Sequence, residues 1–70
     1  MIVVPTIDER RALARRHVEW GRLSIARQQQ YLKELRESGR DTEAAEKLLA
    51  VFERTQKVFE YDLADLEKRG

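Results

Sequence analysis

The helical pattern of this chain breaks once, at Glu37-Ser38-Gly39-Arg40-Asp41-Thr42. Gly39 can adopt the left-handed backbone conformation that closes a helix C-terminus. Asp41 or Thr42 can cap the N-terminus of the helix that follows, because both side chains accept hydrogen bonds from backbone N–H groups. Two long helices joined by so short a turn must fold back on each other. The sequence therefore predicts an all-α antiparallel two-helix hairpin with coiled-coil-like pairing.

Length and composition indicate one small helical domain over residues 1–70. Charged residues make up 39% of the chain and aromatic residues 7%, a composition typical of long solvated helices. A chain of this size has a marginal core, and the absence of cysteine excludes disulfides that would reinforce it. Small proteins without such a staple commonly gain stability by association, so we expect a homo-oligomer.

The first helix is expected to follow a short N-terminal tail, residues 1–5. The apolar run in this tail is too brief for a signal peptide or a membrane span, so we expect no membrane association and a cytoplasmic location. Thr6 and Glu9 fit a capping box, in which a threonine at the N-cap is followed three residues later by a glutamate. The sequence predicts helix one over residues 6–37, this cap included.

Helix one carries a seam of residues at alternating spacings of three and four, which is typical of a coiled coil. Gly21 lies on this seam and costs about 1 kcal/mol relative to alanine inside a helix. Close packing of two helix backbones at Gly21 would offset that cost. The predicted seam of helix one consists of Ile7, Arg11, Ala14, Val18, Gly21, Ile25, Gln28, Leu32 and Leu35.

Helix two is predicted over residues 42–68, after a turn at residues 38–41. Its predicted seam consists of Ala45, Leu48, Phe52, Thr55, Phe59, Asp62 and Leu66. Two further rows flank this seam, with Val51 and Val58 on one side and Leu49, Gln56 and Leu63 on the other. Together these rows cover about half of the helix circumference, which is wider than a two-stranded seam requires. Such an arc is typical of a helix with two neighbours, as in a four-helix bundle.

A second apolar set lies beside the seam of helix one. Leu13 and Trp20 are seven residues apart, so they stack on one side of the helix, and a tryptophan is a common interface anchor. One neighbouring helix cannot cover both this set and the seam, so we predict that two hairpins pair into a four-helix bundle, with a dimer favoured. The predicted interface consists of Leu13, Trp20, Leu23, Tyr31, Leu49, Val51, Val58 and Leu63.

A polar layer is predicted within the hairpin, where it would fix the register of the two helices. Reflecting the chain about the turn places Asp62 opposite Val18. A carboxylate buried there is costly unless it is paired, and Arg15, Arg16 and His17 lie at the right level to pair with it. The predicted layer consists of Gln28, Thr55, Gln56 and Asp62.

The turn is flanked by two spaced strings of residues. The first is His17-Val18, Gly21, Ile25, Gln28, Leu32 and Leu35, and the second is Gly39-x-Asp41-Thr42-x-x-Ala45-x-x-Leu48-Leu49-x-x-Phe52. Together they resemble a recurring pattern in short, uncharacterised bacterial proteins. The resemblance spans more than half of the chain and implies a bacterial helical hairpin. It implies no activity and no catalytic residue.

Candidate chemistry is sparse in this sequence. His17 is the one residue that titrates near neutrality by default, and phosphotransfer histidines do lie on helices of four-helix bundles. The chain has no nucleotide-binding motif to accompany such a role, so we predict a structural or surface histidine. No Ser/His/Asp set, carboxylate pair or Gly-rich phosphate loop stands out, and a single histidine argues against a metal cage. The sequence predicts a non-enzymatic protein with no catalytic, cofactor-binding or metal residues.

RNA binding is the alternative function. The stretch Arg10–Arg27 holds six arginines and one acidic residue. The plasmid RNA-binding protein Rop is also a small hairpin that dimerises into a four-helix bundle. However, the six arginines lie on different sides of the helix, whereas phosphate binding requires clustered charge.

Charge is distributed unequally between the two helices although the net charge is only +1. Residues 7–37 carry eight basic and five acidic side chains, whereas residues 41–69 carry five basic and eight acidic ones. Opposite charge on the two arms favours their pairing with each other over pairing of like with like. The arginines are therefore predicted to serve the fold. We expect a protein-interaction or assembly module whose partner is a second copy or another protein, with nucleic acid disfavoured.

Overall fold

Two helices and a tight turn make up most of residues 3–69, the part of the chain that the computed structural model describes. Helix α1 spans Ile7–Glu37 and helix α2 spans Glu43–Lys68. The helices pack against each other along their length, and the hairpin measures 52 × 28 × 15 Å. The predicted all-α hairpin is confirmed. Residues 1, 2 and 70 lie outside the described part, and they include the first two residues of the predicted tail.

Local capping explains where α1 begins. Thr6 is extended, and its hydroxyl oxygen accepts a hydrogen bond from the Glu9 backbone N–H at 3.1 Å. This bond satisfies one of the N–H groups that the first turn of a helix leaves without a partner. The predicted N-cap at Thr6 is confirmed, and α1 starts at the predicted residue.

The turn is built on the conformation of Gly39, whose φ angle is +70°. Two backbone hydrogen bonds close the end of α1: Arg40 N–H donates to the Leu35 carbonyl at 2.9 Å, and Gly39 N–H donates to the Arg36 carbonyl at 3.1 Å. This pair of bonds defines a Schellman motif, which requires a left-handed residue at the position of Gly39. The helix-closing role predicted for Gly39 is confirmed.

Asp41 caps the start of α2. Its carboxylate accepts a hydrogen bond from the Glu43 backbone N–H at 3.0 Å, whereas the Thr42 side chain makes no capping bond. Thr42 contributes its backbone carbonyl, which accepts from Glu46 N–H at 2.9 Å. Of the two capping residues that the sequence left open, Asp41 therefore supplies the side chain.

The rotation of α2 differs from the prediction. The residues that α2 turns toward α1 include Leu49, Gln56 and Leu63, while Leu48, Thr55 and Asp62 are exposed. Each of these two sets of three residues forms a row along α2. Either row, combined with the same four residues, gives a seam with alternating spacings of three and four; the four shared residues are Ala45, Phe52, Phe59 and Leu66. The observed rotation keeps the Asp62 carboxylate in water, which avoids the cost of burying a charge. It follows that Arg15, Arg16 and His17 are not needed to neutralise a buried Asp62.

The predicted polar layer is reduced to one residue. Gln56 is buried, and its side-chain nitrogen donates to the Val18 carbonyl at 2.9 Å. Val18 is thus paired with Gln56 and not with Asp62. Thr55 is exposed and its hydroxyl donates to the Val51 carbonyl of its own helix at 3.0 Å. The predicted layer is wrong because turning Gln56 inward carries both Thr55 and Asp62 outward, and Gln28 is only half-buried.

Gly21 provides the space that Gln56 occupies. A Cβ atom on Gly21 would overlap the side-chain oxygen of Gln56 and would lie 2.8 Å from its Cδ. That oxygen accepts no hydrogen bond from the described residues. A hydrogen on the Gly21 Cα points along the direction a Cβ would take, so it offers the oxygen a weak C–H···O contact. The close approach predicted for Gly21 is therefore an approach to a glutamine side chain.

The core of the hairpin is thin. Its apolar cluster lies next to the turn and consists of Leu32, Leu35 and Ala45, with Leu49 packed against them. Leu32 is the most buried apolar side chain in residues 3–69, yet 5% of its surface is exposed. Two helices can cover only the side that each turns toward the other, so much apolar surface must stay outside this core.

Candidate interaction face

One broad side of the hairpin carries most of the large apolar side chains that the core leaves out. We call this side the apolar face. Each of its six apolar residues has between 44% and 59% of its surface exposed. They come from both helices. The apolar face consists of Leu13, Trp20, Tyr31, Leu48, Val51 and Val58.

Three shallow grooves show that the two helices contribute to the same side. The groove at the open end of the hairpin is lined from both helices by residues that include Leu13, His17, Phe59 and Asp62. Each of the other two also takes residues from both helices. The central groove is lined by Trp20, Gly21, Ser24, Phe52, Thr55 and Phe59. The groove at the turn is lined by Gln28, Tyr31, Leu35, Arg40, Asp41, Ala44, Ala45 and Leu48.

The opposite side of the hairpin, which we call the charged face, carries the ion pairs of Arg15 with Glu67 and of Arg36 with Glu46, which join the two helices. Leu13 precedes the buried Ala14 and Arg15 follows it, so at 100° per residue these two side chains point to opposite sides of the seam. Arg15 pairs with Glu67 of α2 at 3.8 Å. Near the turn, an ion pair at 3.1 Å joins Arg36 of α1 to α2. The charged face is thus bridged by polar side chains at both ends.

Five predicted interface residues lie on the apolar face: Leu13, Trp20, Tyr31, Val51 and Val58. The other three predicted interface residues lie elsewhere, and for two of them the reason is the rotation of α2.

Leu49 and Leu63 are half-buried in the seam against α1 and cannot form an outer interface. Leu23 is 50% exposed, but it lies between the inward-facing Gly21 and Ile25, so it points away from α2 at the edge of the hairpin. Leu48 is the apolar residue that the prediction placed in the seam and the structure places on the face. The cost of burying Asp62, which is in the same row as Leu48, was the sequence signal that could have revealed this.

His17 packs within the groove at the open end of the apolar face. Its ring stacks on that of Phe59, with the centroids 4.9 Å apart and the planes inclined by 27°. Arg10, Asp62 and Asp65 line the same groove. His17 is exposed and its ring lies against the opposite helix, which is consistent with the structural or surface histidine predicted from the sequence. Within residues 3–69, no three histidine, cysteine or acidic side chains are grouped so that they could hold a metal ion.

Half of the six arginines in the basic stretch form ion pairs with nearby acids. Arg11 pairs with Asp8 at 3.3 Å and also donates to the Leu66 carbonyl of α2 at 3.0 Å. Arg22 pairs with Glu19 at 3.4 Å, and Arg15 makes the pair across the charged face. The contacts of Arg11 and Arg15 with α2 support the prediction that the arginines serve the fold for these two residues.

No protein-family model matches this chain, and neither curated proteins nor solved structures gave a match. The resemblance to bacterial hairpin proteins therefore stays a prediction. Neither helix is long and apolar enough to cross a membrane in the part of the chain that is described.

Proposed function

We propose that this protein is a non-enzymatic interaction or assembly module that associates with a second copy of itself through the apolar face. Two hairpins joined in this way form a four-helix bundle. The observation that carries the proposal is the segregation of the hairpin into one apolar and one charged face. Scattered single apolar residues are normal on protein surfaces, whereas a contiguous apolar patch marks an interaction site.

The energy available at the apolar face supports a role in association. Each of its six apolar side chains has about half of its surface left to bury, which is worth about 1 kcal/mol apiece. A dimer would bury two such sets, on the order of 10 kcal/mol before the cost of association. The core of a hairpin this small supplies only about 3–5 kcal/mol. The free energy gained by burying the apolar face is therefore at least as large as the stability that the hairpin core supplies, so folding and association should be linked.

A second copy fits this face better than RNA does. An RNA-binding surface needs clustered basic side chains, and the apolar face is mainly aliphatic. A homodimer uses the same patch on both subunits, so apolar surface meets apolar surface without any further partner. The face also spans both helices, which matches the wide apolar arc that a bundle helix requires.

The test compares two substitutions of an aromatic residue by glutamate, using sedimentation equilibrium. Trp20→Glu places a charge at the centre of the apolar face and should yield a monomer of about 8.3 kDa. Tyr61→Glu is the matched control, because Tyr61 is 79% exposed and points away from α1. The wild type and the control should have at least twice the monomer mass at micromolar concentration. A monomeric wild type would refute self-association, and recovery of a specific RNA after purification without nuclease would favour the RNA-binding alternative.

A further inference from the structure

Charge is unevenly placed on the apolar face itself. At the open end, α1 contributes Arg10, whereas α2 contributes Asp62 and Asp65 to the same groove. Asp65 also pairs at 3.0 Å with Arg69, the residue that follows α2, and a carboxylate has acceptor sites to spare for a second partner. The turn end of the α2 side carries one charge of each sign, Arg40 and Asp41. The difference between the helices is therefore confined to the open end, where the α2 side of the face carries the carboxylates and the α1 side carries the arginine.

Two symmetric arrangements can bring two apolar faces together. If the two-fold axis runs perpendicular to the helices, each helix lies on its own counterpart and the two turns are at opposite ends. If the axis runs parallel to the helices, α1 lies on the partner's α2 and both turns are at the same end. The two arrangements bury the same residues, but they pair the charges differently.

The perpendicular axis leaves Arg10 away from the carboxylates of the partner. The α2 side would lie on the partner's α2 side, so Asp62 and Asp65 would approach the end that carries both Arg40 and Asp41 of the partner subunit. It would also put the two basic helices side by side, with eight basic and five acidic side chains in residues 7–37 of each. Like charges facing each other across an interface suppress that arrangement.

The parallel axis pairs opposite charges because a rotation about it leaves the level along the hairpin unchanged. Residues of α1 and α2 that share a groove in one copy therefore face each other between copies. Arg10 then faces Asp62 and Asp65 of the partner subunit, and Trp20 lies at the same height along the bundle as Thr55 of the partner subunit. Each basic helix then has two acidic neighbours, one from its own chain and one from the partner.

Resting on the proposed self-association, we propose that the two hairpins pair with their turns at the same end, so that α1 packs on the partner's α2 and Arg10 bridges to the partner's Asp62 and Asp65. The apolar residues supply the affinity, while these charges select the orientation.

A charge-swap mixture tests the bridge between subunits. One variant carries Arg10→Asp, and the other carries Asp62→Lys with Asp65→Lys. Each variant alone faces like charges at this site, so its dissociation constant should rise about tenfold. The mixture restores opposite charges only between subunits, so a heterodimer should recover wild-type affinity by sedimentation. A mixture no tighter than either variant alone would overturn the proposed bridge.

Spin labels measure the orientation directly, because the chain has no cysteine of its own. Glu37→Cys places a label near the turn and Glu9→Cys places one near the open end, both on α1. Turns at the same end predict an intermolecular distance of about 30 Å or less for both labels, roughly three helix diameters. Turns at opposite ends predict about 40–45 Å for both labels, from a rise of 1.5 Å per residue. The longer distances would overturn the orientation and leave self-association intact, whereas no dipolar coupling would refute both.

Discussion

The two faces of this hairpin are built from the same helices and flank the same seam, yet they expose different kinds of side chain. On the charged face, ion pairs such as Arg15 to Glu67 join α1 to α2. On the apolar face, the side chains of residues 3–69 form no ion pair between the helices, and Trp20 and five aliphatic or aromatic neighbours are exposed. The charged face is compatible with contact with water, whereas the apolar face would gain free energy from being covered. This asymmetry is the basis of the proposed self-association.

The substitution with the largest expected effect acts on the seam that both faces share. Gly21→Val would force Gln56 out of the space beside Gly21 and break its bond to the Val18 carbonyl. Overpacking of this kind costs about 2 kcal/mol, and chemical denaturation should show the loss. Ala26→Val, at an exposed position of α1, is the control for the helix propensity of valine and should cost less than about 0.7 kcal/mol.

A double variant sharpens this expectation. Adding Gln56→Ala to Gly21→Val removes the overlapping side chain, so part of the lost stability should return. Additive losses from the two substitutions would show that Gly21 and Gln56 do not compete for the same space.

The turn offers a probe that touches neither face. Gly39→Val should destabilise the protein by about 1–2 kcal/mol, because a side chain at a φ of +70° is strained. Nothing lies within 4 Å of a Cβ built on Gly39, so any loss reports backbone strain and not a clash. Thermal unfolding followed by circular dichroism measures the effect, and an unchanged melting temperature would argue against the left-handed turn.

Val58→Lys tests the apolar face away from its tryptophan. Val58 is 58% exposed, and its remaining burial in a dimer is worth about 1 kcal/mol per subunit. We expect weaker association and a melting temperature that depends less steeply on protein concentration. Tyr61→Lys, on the outer side of the same helix, should leave both unchanged. Equal effects of the two lysines would mean that the apolar face is ordinary surface.

The smallest effect is expected on the charged face. Arg15→Ala removes the pair with Glu67, whose two side chains are both more than half exposed. Exposed pairs of this kind are screened by solvent, so the loss should stay within about 0.5 kcal/mol. A loss as large as that at Val58 would contradict the division of roles between the two faces.

The parts of this fold that depend on neighbouring residues could be predicted from sequence. Thr6, Gly39 and Asp41 act within three or four positions of themselves, and each does what its residue type favours. The rotation of α2 could not be predicted in this way. Two rows, one through Leu48 and one through Leu49, complete equally regular seams. The cost of burying Asp62 disfavours the first row, but what favours the second is a contact between residues distant in sequence.

That deciding contact is the fit of Gln56 beside Gly21. From helical periodicity alone, a polar glutamine is expected outside the seam, so the row through Gln56 was predicted to flank it. The space beside Gly21 on the other helix accommodates the Gln56 side chain and places this row in the seam instead. The side of the hairpin on which the candidate interface residues lie was consequently predicted correctly for α1 residues such as Trp20, except for Leu23, and for two of the four α2 residues. Whether the face binds a second copy depends on contacts between two chains, and the hydrophobic pattern of one chain does not determine those contacts.

Trp20 provides the most direct measurement, because it is the only tryptophan in the chain and lies at the centre of the apolar face. Its fluorescence emission should be recorded across protein concentrations from nanomolar to high micromolar, with helicity followed in parallel. If a second copy covers the apolar face, the emission maximum at high concentration will be at the short wavelengths typical of a buried indole, and Tyr61→Glu will behave in the same way. An emission maximum typical of water-exposed tryptophan at every concentration would contradict the account.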